Sequence, residues 1–458
     1  MTNELIISVS GLRGIVGRNL TEPVATAYGS AFGTFLRRAN RKTAGRPTVC
    51  LGRDSRTSGP MLAAAMTAGL TAAGLDVVDV GLVTTPTASI MTKHLACAGG
   101  VMITASHNPI EYNGIKLFLA NGMTAPAEQA AKIRQIFEQK DFDLVPAKDY
   151  GCARVNTQAY DTHISKVLNI VDKKLIASKK YKVVLDSVNG AGGPITKKLL
   201  AQLGCETIAV NDAPTGIFDH TPEPLAENLT ELCEIVKAKK VDVGFAQDPD
   251  ADRLAIVDEN GSYIGEEYTL ALAAKYMLQK TGGLAATNLS TSRMIDDVAR
   301  QTNSRVIRTP VGEANVADAM IRNNCVIGGE GNGGVIDLRV GTTRDSLVAI
   351  ALVLELMAQT QKTVSRLVAA LPSYYIKKAK FPADQHQLQR IFESAKAQFA
   401  DAKLDTTDGC RFDFPDGWLH LRMSNTEPVV RIIAEAKDRP TVQKYIDAVL
   451  NIRNKLGD

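Results

Sequence analysis

At about 150 residues per domain, a chain of 458 residues allows roughly three domains and excludes a single core. Hydrophobic residues at 45% and charged residues at 22% are the usage of a core-forming globular protein, which excludes a disordered, collagen-like or low-complexity chain. The 53 basic and 49 acidic side chains leave a net charge of +4, too little over so large a surface to call for a nucleic acid or a membrane as partner.

The stretch MTNELIISVSG has no basic segment followed by an apolar one, and no run approaches about 18 uninterrupted apolar residues, so neither an export signal nor a membrane span is expected. The cysteines, at 50, 97, 152, 205, 233, 325 and 410, form no C-x-x-C pair. Most sit among apolar neighbours and read as reduced core thiols, which points to a cytoplasmic protein.

Three segments share one order of elements. Residues 48–81 run from the β-branched TVCLGRD through the polar SRTSG and the helix-patterned PMLAAAMTAGLTAAG to the strand-like LDVVDVG. Residues 181–211 repeat it as YKVVLD, SVNGAGG, PITKKLLAQLG and CETIAVN, with proline expected at the first helical position. Residues 284–312 repeat it again as LAATNLSTS, RMIDDVARQT and NSRVIRTPVG. Each is a βαβ unit, whose crossover favours a parallel or mixed sheet covered by helices. After Leu371 and Pro372 the pattern changes to YYIKKAKF, a helix around 385–400, the hairpin-like DTTDGCRFDFPDGWLHLRMS, the strand VVRIIAEA and a last helix. That texture predicts a smaller α+β domain. The fold class is therefore α/β with four domains, at 1–150, 151–256, 257–372 and 373–458, the first three related α/β units with mixed sheets.

Polar motifs interrupt this framework. In Thr104-Ala105-Ser106-His107-Asn108-Pro109 a strand ends, and its loop presents a serine. His107 adjoins that serine, so its ring is expected to point away, and the G-x-S-x-G elbow of the α/β hydrolases is absent. Lys116 is a lone lysine in the apolar strand GIKLF: either a surface lysine or an acid–base group with a lowered pKa. In Asp248-Pro249-Asp250-Ala251-Asp252-Arg253, three carboxylates at alternate positions of an extended loop would share one side and need a cation, for which Mg2+ suits. An EF-hand is rejected, because Arg253 stands where glycine is required and the flanks read as strands.

The segment 328–334, GGEGNGG, formally satisfies G-x-G-x-x-G, but a strand follows it, so it is not a dinucleotide fingerprint. One acid, Glu330, and one amide, Asn332, among five glycines suit a polyhydroxyl ligand approaching the backbone. Arg422, Ser424, Asn425 and Thr426, with Arg431 shortly after, have the donors to clamp a phosphate. Together a metal loop, a presented serine, a sugar-like loop and a phosphate turn describe phosphoryl transfer on a sugar.

In order and spacing, SGLRG around Arg13, GRDSRTSG around Arg53, VTTPT around Pro86, TASHNP, DPDADR, GGEGNGG and RMSNTEP resemble the motifs of the α-D-phosphohexomutases, over essentially the whole chain. That superfamily holds phosphoglucosamine mutases, phosphomannomutases and phosphoglucomutases. The resemblance implies four domains around a central cleft and Ser106 as a phosphoserine. It implies exchange of hexose 6-phosphate and 1-phosphate through a sugar 1,6-bisphosphate. Asp248, Asp250 and Asp252 would hold Mg2+ against the Ser106 phosphoryl oxygen, Lys116 would be the general base, and Arg13 and Arg253 would lie near the transferred group. Glu330 would bind sugar hydroxyls, and Arg422, Ser424, Asn425 and Thr426 would anchor the phosphate that is not transferred.

One departure bears on the chemistry. Many members have Gly-Glu-x-Ser-Gly-His in the sugar loop, where this chain has Asn332 and Gly334. Acid–base work would then rest on Lys116 or His107. The TEP form of the phosphate turn resembles phosphoglucosamine mutases and SNT resembles phosphomannomutase/phosphoglucomutases; the expectation here is glucosamine phosphate. The alternatives are a phosphomannomutase/phosphoglucomutase and, in another class, a non-catalytic sugar-phosphate binding protein. The expected partner is a small sugar phosphate, with the chain a monomer or homodimer.

Overall fold

The computed structural model describes residues 5–8, 11–40, 45–424 and 429–456. All three expected βαβ units form. Thr48–Arg53 and Asp76–Leu82 pair in parallel across the helix Gly59–Ala72. Lys182–Asp186 and Glu206–Val210 do so across Gly192–Gln202, and Leu284–Asn288 and Arg305–Thr309 across Met294–Gln301. The second helix starts two residues before Pro194, at Gly192, so the proline stands inside the first turn and not at its first position. Proline is tolerated there because the first-turn N–H groups have no intrahelical acceptor.

The sheets of the first three domains are mixed, and in each the strand that follows the third parallel one returns antiparallel. In the first domain the order is Ile6–Ser8, Gly11–Ile15, Tyr112–Leu119, Gly99–Ile103, Thr48–Arg53, Asp76–Leu82, Ala153–Val155. Tyr112–Leu119 returns antiparallel beside Gly99–Ile103. In the second, Leu254–Val257 returns antiparallel beside Val243–Gln247, and in the third Gly334–Ile336 beside Ile327–Glu330. The three connecting loops, 104–111, 248–253 and 331–333, are therefore topological equivalents, and they are the serine, acidic and glycine-rich loops. One plan, used three times, delivers three different chemistries.

The last domain is an antiparallel sheet in the order Tyr375–Pro382, Val429–Ala436, Gly417–Met423, Cys410–Asp413, Lys403–Asp405. Helices Gln385–Gln398 and Arg439–Leu456 pack together beside it, as the α+β reading expects.

The helix Ser346–Thr360 is apolar nearly all round and buried from Ser346 to Ala358, so it belongs between layers and not on a surface. Asp345 caps it, accepting from Leu347 N at 2.9 Å, and also meets the buried His163 ring at 2.7 Å. Ser346 Oγ donates to the carbonyl of Ala251 at 2.7 Å, which seats the helix start directly behind the acidic loop. All seven cysteines are free; four are buried, as core thiols are expected to be, Cys205 and Cys233 are partly buried, and Cys152 is exposed. Among the described residues no helix is long and apolar enough to cross a membrane.

Candidate active site

Ser106 follows the buried strand Gly99–Ile103 and is itself 4% exposed. Its φ of +49° lies in the left-handed region, which a non-glycine residue occupies only when its surroundings impose it. Arg56 imposes it. That guanidinium, 1% exposed, donates to the carbonyls of Ser106 at 2.7 Å, Asn108 at 2.6 Å, Pro109 at 2.8 Å and Tyr112 at 3.0 Å, and stands 3.3 Å from Asp54. The serine loop is thus wound around one buried cation.

Ser106 Oγ donates to Asp248 Oδ2 at 2.7 Å, bridging two domains. Contrary to the sequence expectation, the His107 ring does not point away: its Nδ1 is 3.2 Å from the same hydroxyl, because the left-handed turn at Ser106 brings the two side chains together. Burial, then Arg253 and Arg13, push the His107 pKa well below its usual value, so the ring is neutral.

The acidic loop is a tight hairpin turn and not the extended loop assumed from alternation. Gln247 pairs with Leu254, Ala251 has φ +54°, and Ala251 N donates to Asp248 O at 2.9 Å. The turn, not the pleat, aims the three acids at one point, and one oxygen from each lies within 4.8 Å of the others. All three are fully buried. Burial, then Asp250 and Asp252, push Asp248 well above the usual carboxylate range. For Asp250 burial opposes ionisation, but Lys116 and hydrogen bonds from Asp248 and Thr85 outweigh it and hold the group low. Asp250 Oδ1 and Asp252 Oδ1 are buried without a hydrogen-bond partner. Two orphaned carboxylate oxygens beside Asp248 are what a small, hard divalent cation requires, so the residues present fit Mg2+.

Lys116 is no surface lysine. Its Nζ donates to Asp250 Oδ2 at 2.7 Å and lies 3.6 Å from Asp252. Burial lowers its pKa, but the two carboxylates outweigh burial, and the net direction is up. The lowered value expected from an apolar strand is therefore corrected by partners 134 and more residues away. Arg13 Nη1 donates to Asn108 Oδ1 at 2.8 Å, and Arg253 Nη1 stands 3.6 Å from Glu223, which also faces His107 at 3.9 Å.

Glu330 is 4% exposed, with Oε1 accepting from Asn288 Nδ2 at 2.8 Å and Gly312 N at 3.2 Å, and Oε2 from Arg344 Nη1 at 2.5 Å. Asn332 Nδ2 reaches Glu330 at 3.5 Å, while its buried Oδ1 has no hydrogen-bond partner. These residues join the serine and the acids in one cluster, because Arg344 also binds Asp252 at 2.6 Å.

The phosphate-turn residues form a second cluster. Arg422 Nε donates to Asp408 Oδ2 at 3.0 Å, and the same oxygen accepts from Val311 N at 2.9 Å, next to the Gly312 that serves Glu330. Arg431 lies opposite both Arg422 and Lys380 in register, which makes a cross-strand row of three cations. Ser424 N donates to Val429 O at 2.9 Å; Asn425 and Thr426 lie outside the described residues. The sequence did not single out Arg56, Thr85, Glu223, Asp408 or Arg344. Arg56 and Thr85 stood inside motifs already noticed, GRDSRTSG and VTTPT; nothing local marked the other three.

A serine hydroxyl seated on a buried carboxylate trio, with a lysine, arginines and a glycine-rich loop from another domain around it, defines a sugar-phosphate phosphotransferase of the mutase class. Models described as phosphoglucomutase/phosphomannomutase domains match in succession: α/β/α domain I at residues 5–144, domain II at 160–261, domain III at 265–375 and the C-terminal domain at 378–452. The chain belongs to this family, within the α-D-phosphohexomutase superfamily.

It is 41% identical over 440 residues to a protein of Thermococcus kodakarensis named "Phosphoglucomutase/phosphomannomutase", covering 95% of this chain and 96% of that one. It is 36% identical over 447 residues to a Methanopyrus kandleri protein named "Probable phosphoglucosamine mutase", with 97% and 96% covered. Among solved structures, a phosphoglucomutase/phosphomannomutase family protein from Burkholderia thailandensis superposes with a TM-score of 0.87 at 28% identity, covering 98% of this chain and 97% of that one.

Proposed function

We propose that this protein interconverts glucosamine 6-phosphate and glucosamine 1-phosphate through phosphorylated Ser106 and a sugar bisphosphate. The observation that carries the mutase reading is Ser106 Oγ at 2.7 Å from Asp248, beside the orphaned oxygens of Asp250 and Asp252. Bound there, Mg2+ would neutralise charge on the phosphoryl group in flight. Arg13 and Arg253 extend that positive surround toward the loop carrying the serine.

When the sugar hydroxyl attacks, a bond to its oxygen forms as the bond from phosphorus to Ser106 Oγ breaks. The hydroxyl loses a proton and Oγ gains one. Neutral His107, 3.2 Å from Oγ, can take up a proton, and Lys116, kept as an ammonium by its two carboxylates, can give one. Glu330 orients ring hydroxyls, and the row of Arg422, Arg431 and Lys380 receives the distal phosphate. The bisphosphate then turns in the cleft and returns its other phosphate to the serine.

For glucosamine, the support is the unsatisfied acceptor of Asn332 beside Glu330, which suits the amino group at carbon 2. A glucose or mannose phosphate is the second reading, favoured by the name of the 41% identical relative. Turnover of glucosamine, glucose and mannose 6-phosphates with a trace of the matching bisphosphate decides: a clear preference for glucose or mannose overturns the glucosamine assignment.

A further inference from the structure

Arg344 precedes the capped helix Ser346–Thr360 and so leaves a rigid support. Its side chain is 13% exposed. Nη2 donates to Asp252 Oδ2 at 2.6 Å, Nη1 to Glu330 Oε2 at 2.5 Å, and Nε stands 3.3 Å from Glu313 Oε2, which also accepts from the Arg344 backbone N at 2.9 Å. One guanidinium thus spans the acidic loop and the glycine-rich loop.

The route it takes depends on a missing side chain. A Cβ added to Gly334 would lie 2.1 Å from Arg344 Cδ and 2.7 Å from Cγ, closer than any real contact. The backbone at Gly334 is not left-handed, so it is close approach that requires glycine here. A histidine at this place in the loop would have no room while the arginine arm is present.

We propose that Arg344 is a positioning residue of the mutase site, a charge shared between Asp252 and Glu330 that fixes the sugar loop against the acidic loop and tempers the pull of the aspartates on a cation. The proposal rests on the mutase reading above and deepens it. Without Arg344, Glu330 Oε1 stays on Asn288 and Gly312 N, but Oε2 keeps only the long 3.5 Å contact with Asn332, so the carboxylate can turn about its anchored oxygen and the sugar is held less well. Asp252 meanwhile loses its nearest positive neighbour, keeping Lys116 at 3.6 Å and Arg253 at 3.9 Å, and a cation among the acids is attracted more strongly. The two effects have opposite signs, whereas loss of local structure would weaken both kinds of binding.

The test uses the full chain as R344Q, R344K, G334A and G334A/R344Q, with folding checked by circular dichroism. Mg2+ is titrated calorimetrically into phosphatase-treated protein, and kcat and KM are measured on the hexose phosphate the wild type prefers. R344Q is expected to bind Mg2+ about tenfold tighter through removal of a like charge, while KM rises about tenfold through loss of an anchored hydrogen-bond partner. R344K keeps the charge, so Mg2+ affinity stays near wild type; its single ammonium cannot serve both acids, so KM rises. G334A displaces the arm and shifts both quantities as R344Q does, and the double variant goes no further than R344Q.

Weaker or unchanged Mg2+ binding in R344Q, an unchanged KM, or additive effects of the two substitutions would overturn the proposal. Should R344Q fail to fold, R344K and G334A carry the same test. A wild type without turnover would sink the mutase reading, and the Mg2+ titrations would still judge the bridge.

Discussion

Replacing Arg56 by methionine tests the claim that the serine loop is built around one buried charge. The substitution keeps the aliphatic stem but removes four donors to the carbonyls of Ser106, Asn108, Pro109 and Tyr112, at 2.6 to 3.0 Å. It also leaves Asp54, fully buried, without its counterion at 3.3 Å. Hydrogen bonds to a charged group contribute about 1.5–3 kcal/mol each, yet they do not add, since the freed loop finds water. Breaking a buried ion pair by removing one partner costs about 3–5 kcal/mol, and this sets the estimate of about 4 kcal/mol for R56M.

Chemical denaturation measures it, and D54N/R56M supplies the control. The double variant has no stranded carboxylate and is expected to recover about 1–2 kcal/mol of that loss. Turnover should fall further than the fraction unfolded, because Ser106 is no longer held at its left-handed φ. A loss under about 1 kcal/mol in R56M, or a double variant no better than the single, would refute a loop organised by this charge.

Two further outcomes follow from the geometry. His420 lies where the last two domains meet, its Nδ1 at 2.9 Å from Ser290 Oγ and Nε2 at 2.6 Å from the Asp408 carbonyl. Burial, first, with Arg411 and Arg422, lowers its pKa to about 4, despite the opposing Asp408. Since the unfolded chain then binds the extra proton between about pH 6.5 and 4, His420 costs stability as pH falls through that window. The prediction is that H420Q loses less stability than wild type between pH 7 and about 4.5, by about 1–3 kcal/mol in urea titrations; parallel losses would contradict it. D250N keeps the size of the acid but removes the charge facing Lys116. It is expected to lower turnover by at least about a thousandfold while the chain still folds, because relief of repulsion among the three buried acids offsets part of the lost pair with Lys116; near-normal turnover would defeat the cation assignment.

The sequence carried the parts of this site that consist of residue types at short spacing. Ser106 at a strand end, three aspartates at alternate positions and the glycines of 328–334 are local patterns, and the three βαβ units announce themselves by period and punctuation. What local pattern cannot express is the neighbour. Ser106 and Asp248 are 142 residues apart, Lys116 and Asp250 are 134, and the lysine's pKa direction reverses once that partner is known. The turn at Ser106 swings His107 inward, although adjacent side chains in an extended segment diverge. Gly334 looked like a lost histidine, and only the path of Arg344 gives its absence a physical cause. Near-neutral composition likewise concealed a site in which Asp248, Asp250, Asp252, Glu313 and Glu330 face Lys116, Arg13, Arg253 and Arg344.

The central claim is that Ser106 carries the phosphoryl group the sugar receives. Intact-mass measurement of the protein, first treated with a sugar 1,6-bisphosphate and then with excess hexose monophosphate, tests it directly. Wild type should gain the mass of one phosphoryl group, localised to Ser106, and pass it to the sugar in a Mg2+-dependent step, while Ser106→Ala gains nothing. Turnover without any phosphorylation of Ser106, or an undiminished mass gain in Ser106→Ala, would contradict the account.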